Sequence, residues 1–412
     1  MHLKVYKDNG SINSHEINKN EFIDKFKTKE YKNKVSYISS SSKEINALNI
    51  FKLYFNDAKS ILFDDTNKLL VKKLESLNIP SFESKTNTPT IFDEKEFSFI
   101  YFTSGSTGES TAALKTKNNI ESEIKALSIL LKKYDIKRVI VTVPFIHIYG
   151  SLTGLFYPYF NDIDIILKEH FLPNDLLEIC QDNSLVVTTP LYIKALNKIS
   201  ASKDLSKSLF LSSTAPLDPK EAKEFNQKFS CSIMQLFGST ETGGIAYKFD
   251  DEVLWTALHN VSILTNENNE LKVKSPFVSK YIYENEFKDT KEEIQTFDFI
   301  EKIEKEDDKF KLIGRSSQIL KIAGKRYSTI QIENILEEQE HIEKALVYVK
   351  NDKESLRGEI LDITLETKKD FKAKEIKKIL QNSLSNLKFS MDLKCVDKIP
   401  TSSVGKKLRV NI

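Results

Sequence analysis

Residues 101–108 read Tyr101-Phe-Thr-Ser-Gly-Ser-Thr-Gly108, in which six of eight residues are Ser, Thr or Gly. A loop of Thr103, Ser104, Gly105, Ser106, Thr107 and Gly108 brings several backbone N–H groups and four hydroxyls into one small volume. Its glycines let the main chain approach a polyphosphate closely. The same composition suits a plain Ser/Gly connection, and the segment alone does not separate the two readings. It is not a Walker loop, because no Gly-Lys-Ser/Thr closes it; the next residues are Glu109-Ser-Thr-Ala112. Far downstream, Arg315 is one of only five arginines in a lysine-rich chain. A position that keeps Arg there suits a need for its planar fork rather than a point charge.

Further motifs decide the case. In order along the chain they are Val143-Pro-Phe-Ile-His-Ile-Tyr-Gly150, Ser212-Ser-Thr-Ala-Pro-Leu217, Gln235-Leu-Phe-Gly-Ser-Thr-Glu-Thr-Gly-Gly244, Thr296-Phe-Asp298, Gly314-Arg-Ser-Ser-Gln-Ile-Leu-Lys-Ile-Ala-Gly324 and Pro400-Thr-Ser-Ser-Val-Gly-Lys-Lys-Leu-Arg409. Together with the 103–108 loop, they resemble the adenylate-forming superfamily of acyl- and aryl-CoA synthetases, peptide-synthetase adenylation domains and firefly-type luciferases. The resemblance covers about residues 97–412. The family loop continues with Pro-Lys-Gly, so its lysine is absent here.

The resemblance implies a role for each matched residue. The 103–108 loop holds ATP phosphates. Ser213, Thr214 and Ala215 cradle adenine, since small residues let a flat base approach the backbone. Phe237 stacks on adenine beside Gly238, Thr240 bonds the α-phosphate, and Glu241 holds Mg²⁺, for which an anionic oxygen is the suitable ligand. Asp298 and Arg315 take the ribose hydroxyls, although Phe297 stands where the family has Gly. His147 lines the acyl pocket without acid-base duty, and Gly243 and Gly244 hint at a compact or aromatic substrate. Lys406 bridges the substrate carboxylate and the α-phosphate. Lys407, next along a strand, points to the opposite face.

The chemistry so implied is that of an ATP-dependent acid–thiol ligase. A carboxylate attacks the α-phosphate of ATP, and the acyl-adenylate passes to the thiol of coenzyme A or of a carrier protein's phosphopantetheine, which these motifs do not separate. The alternatives are a catalytically weakened nucleotide-binding relative and an adenylation-only enzyme.

Such residues need a frame. From 120 to 240, helical stretches (Ile120–Lys133, Pro173–Gln181, Leu191–Ile199, Pro219–Phe229) alternate with strands (Val139–Val143, Ile163–Leu167, Ser184–Thr188, Ser208–Leu211, Ser232–Leu236). That alternation predicts an α/β fold with a parallel βαβ sheet, whose ligands gather at the carboxyl ends of the strands. Residues 255–313 predict a β-rich subdomain. Beyond a linker at Gly314, the pattern predicts a small α+β domain. The expected division is 1–313, carrying the ATP and carboxylate site, and 314–412, a mobile domain turning about Ser317. Residues 1–96 match no motif.

The 412 residues carry 61 basic and 59 acidic side chains, a net charge of +2 that speaks against nucleic acid or an anionic membrane as partner. Cys180, Cys231 and Cys395 show no metal-ligand spacing and are expected as free thiols in a cytoplasmic protein. Val139–Phe160 holds no charge over 22 residues, but Pro144, Gly150, Gly154 and Pro158 interrupt it, so a buried strand and helix start fit better than a membrane span.

Overall fold

The structure is a computed structural model that describes residues 1–26, 32–38, 42–63, 68–82, 89–104, 110–303, 306–315, 319–322, 325–351, 359–383, 390–401 and 407. The chain divides into two compact units. One holds Met1–Ile263 and Val273–Ile294, the other Leu264–Lys272 and Gln295–Ile412.

The larger unit is built on a run of parallel strands: β7 (Arg138–Val141), β8 (Asp164–Lys168), β9 (Ser184–Thr188), β10 (Leu209–Ser212) and β11 (Ser232–Ser239). They pair in the order β11-β10-β9-β7-β8, each neighbour parallel. Both faces are covered, so the middles of these strands are apolar, and the two-residue period sorts their side chains. Val139, Val141, Ile165, Leu167, Leu185, Val187, Leu209 and Leu211 enter one core. Ile140, Ile166, Val186, Phe210 and Ile233 enter another on the opposite face. Helices α4 (Lys117–Leu131), α7 (Pro173–Ile179), α8 (Pro190–Lys198) and α9 (Pro219–Phe229) lie between strands in sequence. Their starts are marked locally, by the Thr116–Asn119 capping box of α4 and by Asp218 accepting from Lys220 N before α9. The uncharged stretch 139–160 is β7, then α5 (Ile148–Ser151), a π-turn at Leu152–Phe156 and α6 (Tyr157–Phe160). No described helix is long and apolar enough to cross a membrane.

The first hundred residues, silent in motif terms, extend this frame. β1 (His2–Tyr6) adds to the edge of the sheet parallel to β8 and pairs antiparallel with β2 (Ile12–Glu16). β3 (Val35–Ile38), β4 (Lys59–Leu62), β5 (Phe99–Ser104) and β6 (Ser110–Lys115) join Tyr281–Tyr283 and Phe287–Asp289 in a second sheet, in which β5 and β6 are an antiparallel hairpin. α2 (Lys43–Phe55) starts where the Glu169 carboxylate accepts from Ser42 Oγ, Lys43 N and Glu44 N, so an anion satisfies the open N–H groups of its first turn. Beyond β11, β12 (Gly243–Phe249) and β13 (Leu254–Ala257) continue antiparallel.

In the smaller unit, residues 298–303 of the strand Glu293–Ile303 pair antiparallel with Glu306–Arg315. Gly314, expected as a linker, is the penultimate residue of that second strand, at φ +146°. A three-stranded sheet of Lys344–Asn351, Glu359–Glu366 and Ser390–Val396 packs against α10 (Thr329–Glu337) and α11 (Ala373–Ser383) through Ile332, Leu336, Val347, Ile363, Ile376 and Leu380, all fully buried. This is the expected α+β arrangement. Cys180 and Cys231 are buried free thiols, and Cys395 is half-buried.

Candidate active site

The carboxyl ends of the parallel strands carry most of the matched residues of the larger unit. Thr142, just past β7, donates to Val187 O and to Thr188 Oγ1 at the end of β9. Tyr149 of α5 crosses the same edge, its buried hydroxyl donating to Thr188 O at 3.1 Å and Leu211 O at 2.6 Å. Burial pushes that phenol well above its ordinary value. His147 stands at the N-cap position of α5, half-buried. The Pro and Gly around it are packed together: a Cβ on Gly150 would lie 2.1 Å from Pro144 O. Glycine at 150 therefore has a steric reason, the close approach of the Pro144 carbonyl.

At the end of β10, Ser213 Oγ donates to Leu236 O. Thr214 takes a positive φ of 80°, rare for a β-branched residue. Ser212 Oγ and Thr214 Oγ1 are buried and have no hydrogen-bond partner among the described residues. Buried hydroxyls are nearly always satisfied, so two orphans at one strand end are unusual. Ala215 is half-buried beside them.

β11 and β12 form a hairpin whose tip holds Thr240 and Glu241. Ser239 and Thr242 close it, Ser239 N donating to Thr242 Oγ1 and Thr242 N to Ser239 Oγ. Gly238 must be glycine, since a Cβ there would lie 2.3 Å from Gly243 O. Phe237, on the bulged part of β11, has its ring 5.5 Å from that of Trp255, at 51°. Thr240 and Glu241 are half-buried.

Three residues that no motif names hold this tip from behind. Lys115, the last residue of β6, is 1% exposed, and its Nζ donates to Phe277 O at 2.5 Å and to Glu241 O at 3.4 Å. Asn119 of α4 donates to Pro276 O and Val278 O. Glu123, one turn further along α4 and 6% exposed, accepts from Gly244 N at 2.8 Å. Ser279 N donates to Glu241 O. A Cβ on Gly243 would meet Glu123 Oε2 at 2.5 Å and Phe277 Cβ at 2.9 Å. Gly243 and Gly244 thus have a packing reason independent of any substrate. Burial pushes Lys115 down to about 8 and Glu123 up, each against the attraction of the other. The sequence does carry a signal for the pair: Glu123 interrupts the apolar stripe of Ile120, Ile124 and Leu127, and Lys115 closes the apolar run Ala112-Ala-Leu114.

Thr103 and Ser104 end β5, opposite Thr111 and Ser110. Gly105, Ser106, Thr107, Gly108, Ser317 and Lys406 lie outside the described residues. In the smaller unit, Asp298 is 8% exposed and stands opposite Arg315 in the ladder, so those two are cross-strand neighbours. Phe297, in place of the family Gly, is 64% exposed. Lys407 is tied down: its ammonium donates to Glu333 Oε2 at 2.8 Å, Glu337 Oε1 at 2.6 Å and Ala345 O at 2.7 Å. Among the described residues, no three His, Cys, Asp or Glu side chains group as an all-protein metal centre would.

Comparison with known proteins places this geometry. The sequence profile described as "AMP-binding enzyme" matches residues 29–282, more than half of the chain. Curated proteins gave no match. Among solved structures, ATP-bound MatB from Rhodopseudomonas palustris superposes with a TM-score of 0.78 at 15% identity, covering 98% of this chain and 94% of the other. O-succinylbenzoate coenzyme A synthetase (MenE) from Bacillus subtilis, in complex with AMP, gives 0.79 at 15% identity over 99% and 94%. The amide bond synthetase McbA from Marinactinospora thermotolerans gives 0.76 at 15% over 98% and 95%. At such identity the likeness is one of fold.

Proposed function

This chain belongs to the AMP-binding enzyme family, and from that premise we propose that it is a magnesium- and ATP-dependent ligase that activates a small-molecule carboxylate as an acyl-adenylate and passes the acyl group to a thiol. The observation that carries the reading is the strand edge itself. Two unsatisfied hydroxyls at Ser212 and Thr214, an aromatic face at Phe237 and a carboxylate at Glu241 stand at the ends of adjacent strands of one parallel sheet. That is the donor set a nucleotide and a hard cation require.

In this reading Ser213, Thr214 and Ala215 receive the base against Phe237, Asp298 and Arg315 hold the ribose, and the 103–108 loop with Thr240 contacts phosphate. Glu241 holds Mg²⁺, which neutralises phosphate charge. His147, positioned by Tyr149 and the Pro144–Gly150 packing, lines the carboxylate pocket. Lys406 places a cation where carboxylate and α-phosphate meet, and residues 314–412 turn between the two half-reactions. Positioning and charge neutralisation dominate such transfers, which is why a site without an evident acid-base pair suffices. The acceptor is coenzyme A or a carrier protein's phosphopantetheine, and the setting is cytoplasmic.

The test is a magnesium-dependent pyrophosphate-release screen over aryl and fatty acids, followed by AMP release with each thiol acceptor. One active carboxylate, with release lost in Glu241→Gln, supports the reading. ATP binding without pyrophosphate release from any acid would favour a weakened nucleotide-binding protein, the outcome that the absent loop lysine and Phe297 anticipate. Release without thiol transfer would mean adenylation only.

A further inference from the structure

We propose that Lys115 and Glu123, two buried side chains of opposite charge at one strand-to-helix junction, are positioning residues that set the Thr240–Gly244 turn in the geometry in which Glu241 meets the magnesium–nucleotide complex. The inference rests on the function proposed above. Its basis is where the two charges end. Lys115 reaches the backbone carbonyl of Glu241, and Glu123 reaches the backbone N–H of Gly244. The turn is thus gripped on both sides from a single strand-to-helix junction. Asn119, between them, fixes Pro276 and Val278, and Lys115 fixes Phe277. Three successive carbonyls are therefore held, and Ser279 N, next in line, donates to the same Glu241 carbonyl.

A merely structural site would do better with apolar side chains. Two charges taken out of water are expensive, and hydrophobic replacements of similar volume are often as stable or more so. In this proposal the two charges are retained for the backbone geometry they impose on the turn. Here the geometry is specific: a Cβ on Gly243, whose φ is +72°, would meet Glu123 Oε2 at 2.5 Å and Phe277 Cβ at 2.9 Å, and one on Gly244 would meet Leu258 Cδ1 at 2.8 Å and Glu123 Oε1 at 3.1 Å, so the turn lies close against the Glu123 carboxylate. Moving either charge moves the backbone that carries the Glu241 side chain. Lys115 and Glu123 themselves contact no substrate.

The experiment measures ATP affinity by calorimetry, with Mg²⁺ and with EDTA, beside thermal midpoints, in the full chain. The variants are Glu123→Gln, which keeps an acceptor for Gly244 N but strands the Lys115 charge, and the double variant Lys115→Met/Glu123→Gln, which leaves no lone buried charge. The double variant is expected to melt near the wild type yet lose about tenfold or more of the tightening that Mg²⁺ gives to ATP binding, as removal of outer-shell partners of metal ligands does. Its affinity in EDTA should stay near the wild-type value. A folded double variant with wild-type magnesium dependence overturns the inference and leaves the function intact. A loss that is equal in EDTA and Mg²⁺ also overturns it, as general damage. A wild-type chain that binds no ATP under either condition overturns the functional reading and this inference with it.

Discussion

Lys115 and Lys407 do the same mechanical work in the two units, and they do it with different physics. Each ties a sequence motif to the element behind it. Lys115 meets backbone carbonyls, with its carboxylate partners further off, so burial prevails and its ammonium is pushed down to about 8. Lys407 meets two carboxylates at 2.6 and 2.8 Å while keeping 23% of its side chain exposed. Carbonyl dipoles fix direction in a dry interior but leave most of the desolvation penalty standing. Ion pairs at a wetter site hold more loosely and lose less when broken. The turn that carries Glu241 is tied through backbone carbonyls, and Lys407 chiefly through carboxylates.

That contrast can be broken by mutation. Lys115→Met alone leaves Glu123 as a lone buried charge, and we expect a loss of about 3–5 kcal/mol in urea unfolding, mostly recovered when Glu123→Gln is added. Simple additivity of the two changes would show that they are not a pair. Next in size, Lys406→Ala should lower pyrophosphate release by about 10²–10³-fold and spare thioester formation from supplied acyl-adenylate. Equal loss of both steps would make Lys406 a docking or folding residue. Lys407→Ala should unfold the smaller unit at lower urea, by about 1–2 kcal/mol, because Glu333, nearly fully buried, loses a charged donor. Lys407 is therefore no indifferent neighbour of Lys406, as facing away along a strand would suggest; an unchanged midpoint would return it to that status.

A second set of tests uses pH, at the first turn of α2. Burial holds Lys43 at about 8 against the attraction of Glu169, below its ordinary 10.5. Between those values the unfolded chain keeps a proton that the folded chain has released, so this group adds stability as pH rises from about 8 to 10.5. Burial would raise its neighbour Glu44, but hydrogen bonds from Lys7, His15 and Asn13 outweigh it and hold the carboxyl at about 2. Its contribution is complete above 4.5 and is lost as pH falls towards 2. Urea midpoints across pH should lose part of their alkaline rise in Lys43→Met, since Lys115, also held at about 8, supplies another part, and part of their acid fall in Glu44→Gln. Parallel curves for all three proteins would contradict both assignments.

Much of the fold was legible because local and global signals agree. Pro219–Phe229 is a helix over those very residues, with Asp218 and the following proline announcing it. β9 likewise keeps its expected bounds, as an apolar β-branched run buried on both faces. The β1–β2 hairpin was not legible. Its second strand is mostly exposed, so Ile12–Glu16 has no apolar period to read, and the strand exists because a distant edge accepts its neighbour. At the candidate site, motifs named the residues that face outward from the strand ends. They were silent on Lys115, Asn119 and Glu123, since a buried charge is defined by a partner over a hundred residues away.

The pairing of β1 has a consequence for how this protein is made. Leu3 lies opposite Ile165, and Leu3 and Val5 are fully buried. On the ribosome, at about 5–20 residues per second, β1 waits roughly 8–30 s for that neighbour to be synthesised. During that interval two side chains destined for the interior are in water, on a strand with an open edge, the kind of surface that recruits other chains. The ladder between β1 and β2 needs nothing beyond residue 16, and it can close one side of β1 as soon as both strands have emerged.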